Sequence, residues 1–434
     1  MRRRRMAISV VVVALAVLAI RAATAVSDTP DTPETTAART PARFLYVWAG
    51  DKDEQHPDFM AVVDVQPGSP TYGEVVATEP VDMRGTLPHH TEYELPDRGR
   101  LLFANGHHHE KVFLFDTDSA QRPRLVRTLP AVPPFRFPHD FLRLPNGNVL
   151  VGFLRSEGAS PIPGDTMLPG GHGGMAEVDE EGRVLRTASA AVAGIGAPVR
   201  VYAFAPRPEI DRLLTTSAPM MEDTTADVVQ LWRLSSLELL HTLQVPPARL
   251  TDGTILPRGH QYPFEPRVMP DGSVLLNAYG CGFYRVTGLE TSTPKIENVH
   301  TIDVRAAEGR HAACGIPVVA GRFWVMPVGG LSALVTLDVS DPARPVEVAR
   351  LQADAGFRPH WLARDPGSDR LIVGAENGGE ERMLMARVDE RTGRVTWDES
   401  LRTGDGTLGI SFQRERWPHG ATGEAFGHAA LFRP

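Results

Sequence analysis

The stretch PHHTEYELPDRGRLLF, at residues 88–103, is the strongest indication of the fold, because three other stretches of the chain repeat its pattern. Its second histidine stands six residues before the proline of a turn, and a second apolar run follows that turn. The repeats are FPHDFLRLPNGNVLV at 137–151, RPHWLARDPGSDRLIV at 358–373 and, with Ala425 at the turn-proline position, WPHGATGEAFGHAALF at 417–432. They place His139, His360 and His419 in the register of His90.

Three further segments fit the same pattern more loosely. They are VYAFAPRPEIDRLLT, FEPRVMPDGSVLLNA and CGIPVVAGRFWVM, and they place Tyr202, Phe264 and Cys314 in the shared register. A strand–turn–strand unit that recurs at intervals of roughly 45–65 residues is typical of a β-propeller. No long stretch has helical periodicity. The sequence therefore predicts an all-β chain folded as one seven-bladed propeller.

The last blade lacks enough C-terminal sequence to be complete. The segments RFLYVWAGD, FMAVVDVQP and EVVATEPV, which precede the first repeat, supply strands for the remainder. We expect strands from both termini to close the ring, since closure leaves no sheet edge free to pair with another chain. Both FLYVWAG and HAALF fit the second strand of this blade, and the sequence does not decide between them.

The shared register predicts a ring of side chains in the central channel, because equivalent positions on the innermost strands face one axis. Since the ring closes, the four histidine repeats are neighbours, which predicts a metal site made by His90, His139, His360 and His419. We expect His90 and His139 to be catalytic as well. His89 joins them only if a bulge turns it inward. Four imidazoles without a thiolate favour copper, with iron as the alternative.

Other residues are candidates for the surroundings of this site. Ligand histidines need acceptors behind them to fix their tautomer. Glu92 follows His90 by two residues and so faces the same side of a regular strand. Glu265 is a further candidate acceptor. We expect Tyr202 and Phe264 to shape an apolar pocket.

The two cysteines, Cys281 and Cys314, fall on consecutive repeats. An exported chain can oxidise them to a disulfide. The alternatives are two buried thiols, or Cys314 as a group in the channel wall.

The N-terminus, MRRRRMAISVVVVALAVLAIRAATAVS, predicts a signal peptide over residues 1–25, with Ala23-Thr24-Ala25 as its cleavage site. An uncleaved membrane anchor is the alternative. Residues 26–41 form a Thr/Pro/Ala spacer that we expect to be disordered, and 42–434 form the propeller. Cleavage removes five of the 45 basic residues, leaving 40 against 53 acidic ones, a net charge of −13. This charge argues against nucleic acid or an anionic membrane as partner. We expect a periplasmic or secreted protein.

Residues 56–94, HPDFMAVVDVQPGSPTYGEVVATEPVDMRGTLPHHTEYE, resemble the N-terminal signature of the selenium-binding protein / methanethiol oxidase family. The resemblance lies in the PDF-x-A-x-VDV strand, the P-x-SP-x-Y turn and the HH pair. It implies a seven-bladed propeller. It also implies a periplasmic copper enzyme that oxidises methanethiol to formaldehyde, hydrogen peroxide and sulfide. His89 and His90 match the family's HH pair, and His139 matches its histidine on the next inner strand.

Two positions depart from the family pattern. The C-terminal stretch QRERWPHG stands where members have a HELRYPGGD-like motif, so that Gln413 occupies the position of the family histidine. Gly73 follows the tyrosine of the turn, where vertebrate members have a cysteine. The expected function is a copper-dependent oxidase of small thiols that uses O2. The alternatives are a non-catalytic propeller that binds a metal or a protein partner, and an iron-dependent oxygenase.

Overall fold

Seven antiparallel sheets of at least four strands follow one another along the chain, and each forms one blade of a β-propeller. The structure, a computed structural model, describes residues 40–158, 171–218, 225–256, 261–307, 314–376, 381–403 and 406–434. Residues 39–434 form a single compact unit. The prediction of an all-β, seven-bladed propeller is confirmed.

In every blade the first-named strand lies nearest the axis and the last-named strand is outermost. Blade 1 has β4 (Pro88–Thr91), β5 (Leu101–Gly106), β6 (Lys111–Asp116) and β7 (Arg124–Leu129), and blade 2 has β8 (Phe135–Arg143), β9 (Val149–Ser156), β10 (Gly174–Val178) and β11 (Val184–Ser189). Blade 3 has β12 (Phe204–Arg207), β13 (Arg212–Thr216), β14 (Val228–Arg233) and β15 (Glu238–Gln244), and blade 4 has β16 (Pro263–Val268), β17 (Val274–Ala278), β18 (Gly282–Thr287) and β19 (Lys295–Thr301). Blade 5 has β20 (Val318–Ala320), β21 (Phe323–Val328), β22 (Ala333–Asp338) and β23 (Val346–Gln352). Blade 6 has β24 (Pro359–Arg364), β25 (Arg370–Ala375), β26 (Arg382–Val388) and β27 (Val395–Trp397), with β28 (Ile410–Ser411) also paired to β26. Blade 7 has β29 (Ala425–Arg433), β1 (Phe44–Asp51), β2 (Phe59–Asp64) and β3 (Val75–Pro80). Among the described residues, short 3-10 helices lie at Pro208–Ile210, Arg305–Ala307 and Gly329–Leu331.

The burial of the strands follows their position in the blade. The second strand β9 is buried at all but its last residue, whereas the outermost strand β11 alternates between exposed and half-buried residues. A strand with both faces covered by neighbouring blades reads as a continuous apolar run, while an outer strand must present polar side chains to water. This contrast explains why the apolar runs RLLF, NVLVGFL and RLIV are the strongest strand signals in the sequence.

The two chain termini meet in blade 7. β29 pairs antiparallel with β1, from Phe44 opposite Arg433 to Asp51 opposite Ala425. β1 in turn pairs with β2. FLYVWAG is therefore the second strand and HAALF belongs to the innermost one, which decides the ambiguity left by the sequence. The predicted closure by both termini is confirmed.

A β-bulge interrupts the innermost strand at one level in several blades. Two residues of the inner strand stand opposite one residue of the second strand at four places: His89 and His90 opposite Asn105, His139 and Asp140 opposite Gly152, Phe264 and Glu265 opposite Asn277, and His428 and Ala429 opposite Trp48. In β24, His360 is a single extra residue. A bulge breaks strict alternation and re-aims a side chain. The channel wall is irregular at this level for that reason.

Proline precedes the bulge in four of these strands. Pro88, Pro138, Pro263 and Pro359 each stand one residue before the first bulged position, and Gly427 takes that place in β29. Proline has no N–H to give to the strand ladder, so in sheets it is confined to edges, strand starts and bulges. The proline therefore marks the point where the ladder opens.

The predicted signal peptide and all but the last two residues of the predicted spacer lie outside the described residues. Within the part of the chain that the structure describes, no helix is long and apolar enough to cross a membrane.

Candidate metal centre

Three histidines from two neighbouring inner strands converge in the channel. One ring nitrogen from each of His89, His90 and His139 lies within 4.8 Å of the others, and all three side chains are buried. The rings of His90 and His139 have their centroids 4.2 Å apart. The bulge in β4 is the reason that two consecutive histidines reach the same space. The sequence placed His89 in the site only if such a bulge turned it inward.

Ring nitrogens of these histidines lack partners. His139 Nδ1 donates a hydrogen bond to the carbonyl oxygen of Tyr202 at 2.8 Å. The proton therefore lies on Nδ1, and Nε2 is left free. Among the described residues, His89 Nε2, both nitrogens of His90 and His139 Nε2 have no hydrogen-bond partner. Leaving such a buried polar atom unpaired costs about 1–3 kcal/mol. A bound metal ion satisfies these nitrogens, so the residues fit a metal.

The imidazoles of this site are neutral at physiological pH. The pKa values of His89, His90, His139 and His428 are held well below the usual value, first by burial and then by neighbouring imidazoles. A metal ion binds only the unprotonated ring. The protein therefore keeps these nitrogens ready for a cation without having to displace protons.

His428 is the functional candidate that the sequence reading missed. It lies on β29, with its Nε2 2.9 Å from His89 Nδ1, and its Nδ1 donates to the His89 carbonyl oxygen at 2.6 Å. The placement of His419 on an inner strand is wrong. His419 lies in the loop before β29, where its Nδ1 contacts Thr78 Oγ1 at 2.7 Å. The short segment Trp417-Pro418-His419 imitates the Pro-His pair without beginning a strand.

A signal for His428 was present in the sequence. GHAALFRP, at residues 427–434, repeats the pattern of PHDFLRLP, at residues 138–145, with the histidine again six residues before a proline. The glycine in place of the first proline and the absence of a following strand concealed the match.

His360 lies on the inner strand β24, where the sequence placed it, at the edge of the cluster. Its ring centroid is 5.1 Å from that of His428, and its buried Nδ1 has no partner among the described residues. His107, in the turn that follows β5, is also buried. Burial lowers the pKa of His107 to about 4, and its ring centroid lies 5.8 Å from that of His89.

The prediction that Glu92 supports His90 is wrong. Glu92 forms an ion pair with Arg143 at 2.8 Å and accepts the backbone N–H of Phe103 at 3.0 Å. The bulge changes the alternation on which that prediction depended. The carboxylate beside His90 is Asp140, whose Oδ1 lies 3.8 Å from His90 Nδ1. Burial raises the pKa of Asp140 well above its usual value, and a cation in the site would favour its ionised form.

The amide of Asn105 joins the two inner strands of the site. Its Oδ1 accepts the backbone N–H of His90 at 2.7 Å, and its Nδ2 donates to the carbonyl oxygens of Pro138 at 2.9 Å and His139 at 3.2 Å. These bonds replace the ladder bonds that the bulges remove, and they hold the histidines at a fixed separation.

Aromatic rings continue the channel wall beyond His139. Tyr202 lies 4.0 Å from the His139 ring, Phe264 lies 4.6 Å from Tyr202, and Tyr279 lies 5.7 Å from Phe264, between centroids. Tyr202 and Phe264 are buried. Tyr202 thus lies beside the cluster and Phe264 lies beyond Tyr202, and the apolar pocket that they would shape stays a prediction.

Glu265 also lies next to the axis, although it pairs with other groups than the histidines. It accepts the Tyr93 hydroxyl at 3.0 Å and forms an ion pair with Arg267 at 3.0 Å. Its role behind a ligand histidine stays a prediction.

Cys281 and Cys314 form a disulfide that links blades 4 and 5. Both residues are fully buried. The backbone N–H of Cys314 also donates to the carbonyl oxygen of Tyr279 at 2.9 Å. The suggestion that Cys314 contributes a thiol to the channel is therefore wrong, because its sulfur is covalently paired.

Comparisons with known proteins give a partial match in sequence and a full-length match in fold. No family model matches the chain. Over 119 residues the chain is 33% identical to methanethiol oxidase of Hyphomicrobium, which covers 26% of either protein. The matched part is thus about a quarter of the length of that curated relative. The resemblance noted from the sequence is confirmed over this part.

Solved structures resemble nearly the whole propeller. A hypothetical selenium-binding protein from Sulfolobus tokodaii has a TM-score of 0.68 at 15% identity, covering 90% of this chain and 93% of that one. A periplasmic gluconolactonase of Pseudomonas aeruginosa has a TM-score of 0.58 at 16% identity, covering 89% and 99%. Similarities at such identities establish the propeller fold.

Proposed function

We propose that this protein is an exported copper-dependent oxidase of small thiols, similar in activity to methanethiol oxidase. The observation that carries the proposal is the set of buried, neutral and unpartnered imidazoles of His89, His90 and His139. The partial identity to methanethiol oxidase supports the substrate class. The proposed small-molecule partners are a thiol and O2.

The donor set favours copper. Imidazole nitrogen suits copper, zinc, iron and nickel, and an all-nitrogen site without thiolate is typical of Cu(II). His89, His90 and His139 would hold the ion, with His428 and His360 beside them. When bound, copper supplies one-electron chemistry and a Lewis-acid position for the sulfur.

The surrounding residues orient the ligands and exclude water. The Tyr202 carbonyl fixes the tautomer of His139, and Asp140 is the carboxylate beside His90, with its Oδ1 3.8 Å from His90 Nδ1. The rings of Tyr202 and Phe264 form an apolar wall that suits a small alkyl thiol. Burial of these groups keeps bulk water away from the reacting sulfur.

The test is oxygen consumption by copper-loaded protein. With methanethiol and a panel of other small thiols, an oxygen electrode should record uptake by the wild type and none by His139→Ala. Ala at this position should also weaken copper binding by at least the 10–100-fold that is typical of losing outer-shell support alone. His428→Ala should weaken copper binding in the same direction.

Two exposed or peripheral histidines serve as matched controls. His108→Ala and His419→Ala should leave both copper content and oxygen uptake unchanged, because neither ring is part of the cluster. Stoichiometric copper without uptake on any thiol would leave a metal-binding propeller in place of the oxidase. Iron in protein purified from its own host would favour an oxygenase.

A further inference from the structure

The proposed oxidation of a thiol has to transfer two electrons. The redox role inferred from that number rests on the proposed function. Oxidation of methanethiol to thioformaldehyde breaks the S–H bond and one C–H bond and removes two electrons and two protons, and water then converts thioformaldehyde to formaldehyde and hydrogen sulfide. Dioxygen takes up two of each when it becomes hydrogen peroxide. A copper ion that alternates between Cu(II) and Cu(I) carries only one electron. A single ion at the axis therefore needs a second group that gives and recovers one electron.

A continuous run of aromatic rings leads from His90 to a tyrosine. The edge of His90 meets Trp361 at 5.1 Å between centroids, with the ring planes perpendicular. Tyr93 then lies nearly parallel to Trp361, at 5.5 Å and 15°. Trp361 is buried. Electron tunnelling falls steeply with distance, so adjoining rings of this kind make a short path between the metal ligands and Tyr93.

The hydroxyl of Tyr93 has a carboxylate to receive its proton. It lies 3.0 Å from both Oε1 and Oε2 of Glu265. Arg267 Nη1 contacts Glu265 Oε2 at 3.0 Å, and its guanidinium lies 5.1 Å from the centre of the Tyr93 ring. A phenol that loses an electron becomes a very strong acid. Its oxidation is favourable only where a base takes the proton at once.

We propose that Tyr93 is a one-electron redox side chain that is coupled to the metal centre through its ring contacts with His90, at 6.0 Å between centroids, and with Trp361, and that uses Glu265 as its proton acceptor. In the oxidised state, the Tyr93 O–H bond is broken, the ring holds the unpaired electron and Glu265 holds the proton. Of the two electrons that the thiol gives up, a bound metal would hold one, and the Tyr93 radical would take the other and recover its proton from Glu265. Dioxygen would take both electrons back, one of them from Tyr93, together with the two substrate protons, and would leave as hydrogen peroxide.

Tyr202 is the rival candidate. Its ring is closer to a ligand, at 4.0 Å from His139. Among the described residues, however, no carboxylate accepts a hydrogen bond from the Tyr202 hydroxyl. Glu265 and Asp140 affect the pKa of Tyr202 only through their charge. Oxidation of Tyr202 would leave its proton without an immediate acceptor, so the structure favours Tyr93.

The experiment uses full-length protein loaded with zinc, which has no unpaired electron and does not change oxidation state. A one-electron oxidant, hexachloroiridate(IV), is added, and the frozen sample is examined by EPR. The wild type should show a tyrosyl radical. Tyr93→Phe, which keeps the ring stack, should lose it, and Glu265→Gln should lower its yield. Zinc content and thermal unfolding confirm that each variant is folded.

Tyr46→Phe is the matched control. Tyr46 is buried, whereas Tyr93 is partly buried, and the Tyr46 hydroxyl donates to the backbone carbonyl of Ala120 at 2.9 Å instead of to a carboxylate. Its removal should leave the signal intact. A radical that survives Tyr93→Phe, or that disappears in Tyr202→Phe, would overturn the assignment.

An anaerobic titration separates this inference from the proposed function. Oxidised copper-loaded wild type should consume one methanethiol per copper before reduction is complete, and Tyr93→Phe should consume half as much. Wild type that consumes only half a thiol per copper would refute a redox role for Tyr93 while confirming thiol oxidation. A Tyr93 radical in protein that oxidises no thiol would refute the oxidase and leave the redox tyrosine established.

Discussion

At the scale of single residues, the site is defined by imidazoles that are buried without enough partners. His89, His90 and His139 are enclosed by other rings, so their neutral forms are strongly favoured. The repeated register identified His90 and His139, because it needs only the spacing of histidine and turn, whereas His89 was a candidate only on the condition that a bulge turns it inward. The prediction for Glu92 was wrong, because it assumed strict alternation of side chains and the bulge in β4 breaks that alternation.

The metal-free protein should lose stability as the pH falls below about 6.5. The folded-state pKa values of these histidines lie below the unfolded value, so the unfolded state binds more protons in this range. Each histidine that stays neutral should reduce the free energy of unfolding by up to about 1.4 kcal/mol per pH unit. Asp140 and Glu265, whose pKa values burial raises, act in the opposite sense above about pH 4.

Urea unfolding of protein treated with a chelator, at pH 7.5, 6.5 and 5.5, measures this slope. His139→Gln removes one titrating ring and should make the decline between pH 6.5 and 5.5 shallower. An equal slope in the two proteins would show that His139 is protonated in the folded state.

At the scale of strands, the histidine repeat of the sequence agrees with the inner strands of the structure except in blade 7. The predicted repeats identified the innermost strands of blades 1, 2 and 6. In blade 7, the sequence chose the wrong histidine, because Trp417-Pro418-His419 resembles the start of an inner strand. Only the pairing of β29 with β1 distinguishes the two, and that pairing joins segments about 380 residues apart. Local spacing points to both histidines and does not choose between them.

Deleting residues 425–434, which removes β29, should unfold the protein and not merely shorten it. The deletion exposes the edge of β1, opens the ring and removes His428. Urea unfolding should show loss of the cooperative transition, and gel filtration should show aggregation through the open edges. If the shortened chain unfolds at the same midpoint as the full chain, closure by β29 does not stabilise the ring.

At the scale of the whole molecule, the seven blades and their closure followed from the periodicity of the sequence, because each blade buries its strands in the same way. The metal and the substrate do not follow from fold, since propellers host many chemistries. Seven inner strands bring distant residues to one axis. The arrangement explains how residues from the first, second, sixth and seventh blades share one site.

The mature protein should begin near Val26 if the N-terminal segment directs export. N-terminal sequencing of protein isolated from its host measures this directly. The extracytoplasmic fraction should contain the shortened chain. Chains that start at Met1 and stay in the cytosol would contradict the proposed compartment.

The cross-link between Cys281 and Cys314 has a consequence for an enzyme that handles thiols. Thiol–disulfide exchange requires a thiolate to reach one of the two sulfurs. Neither residue has exposed surface, so a substrate that would reduce an open disulfide cannot reach this one. We therefore expect this cross-link to withstand concentrations of thiol that would reduce an exposed disulfide.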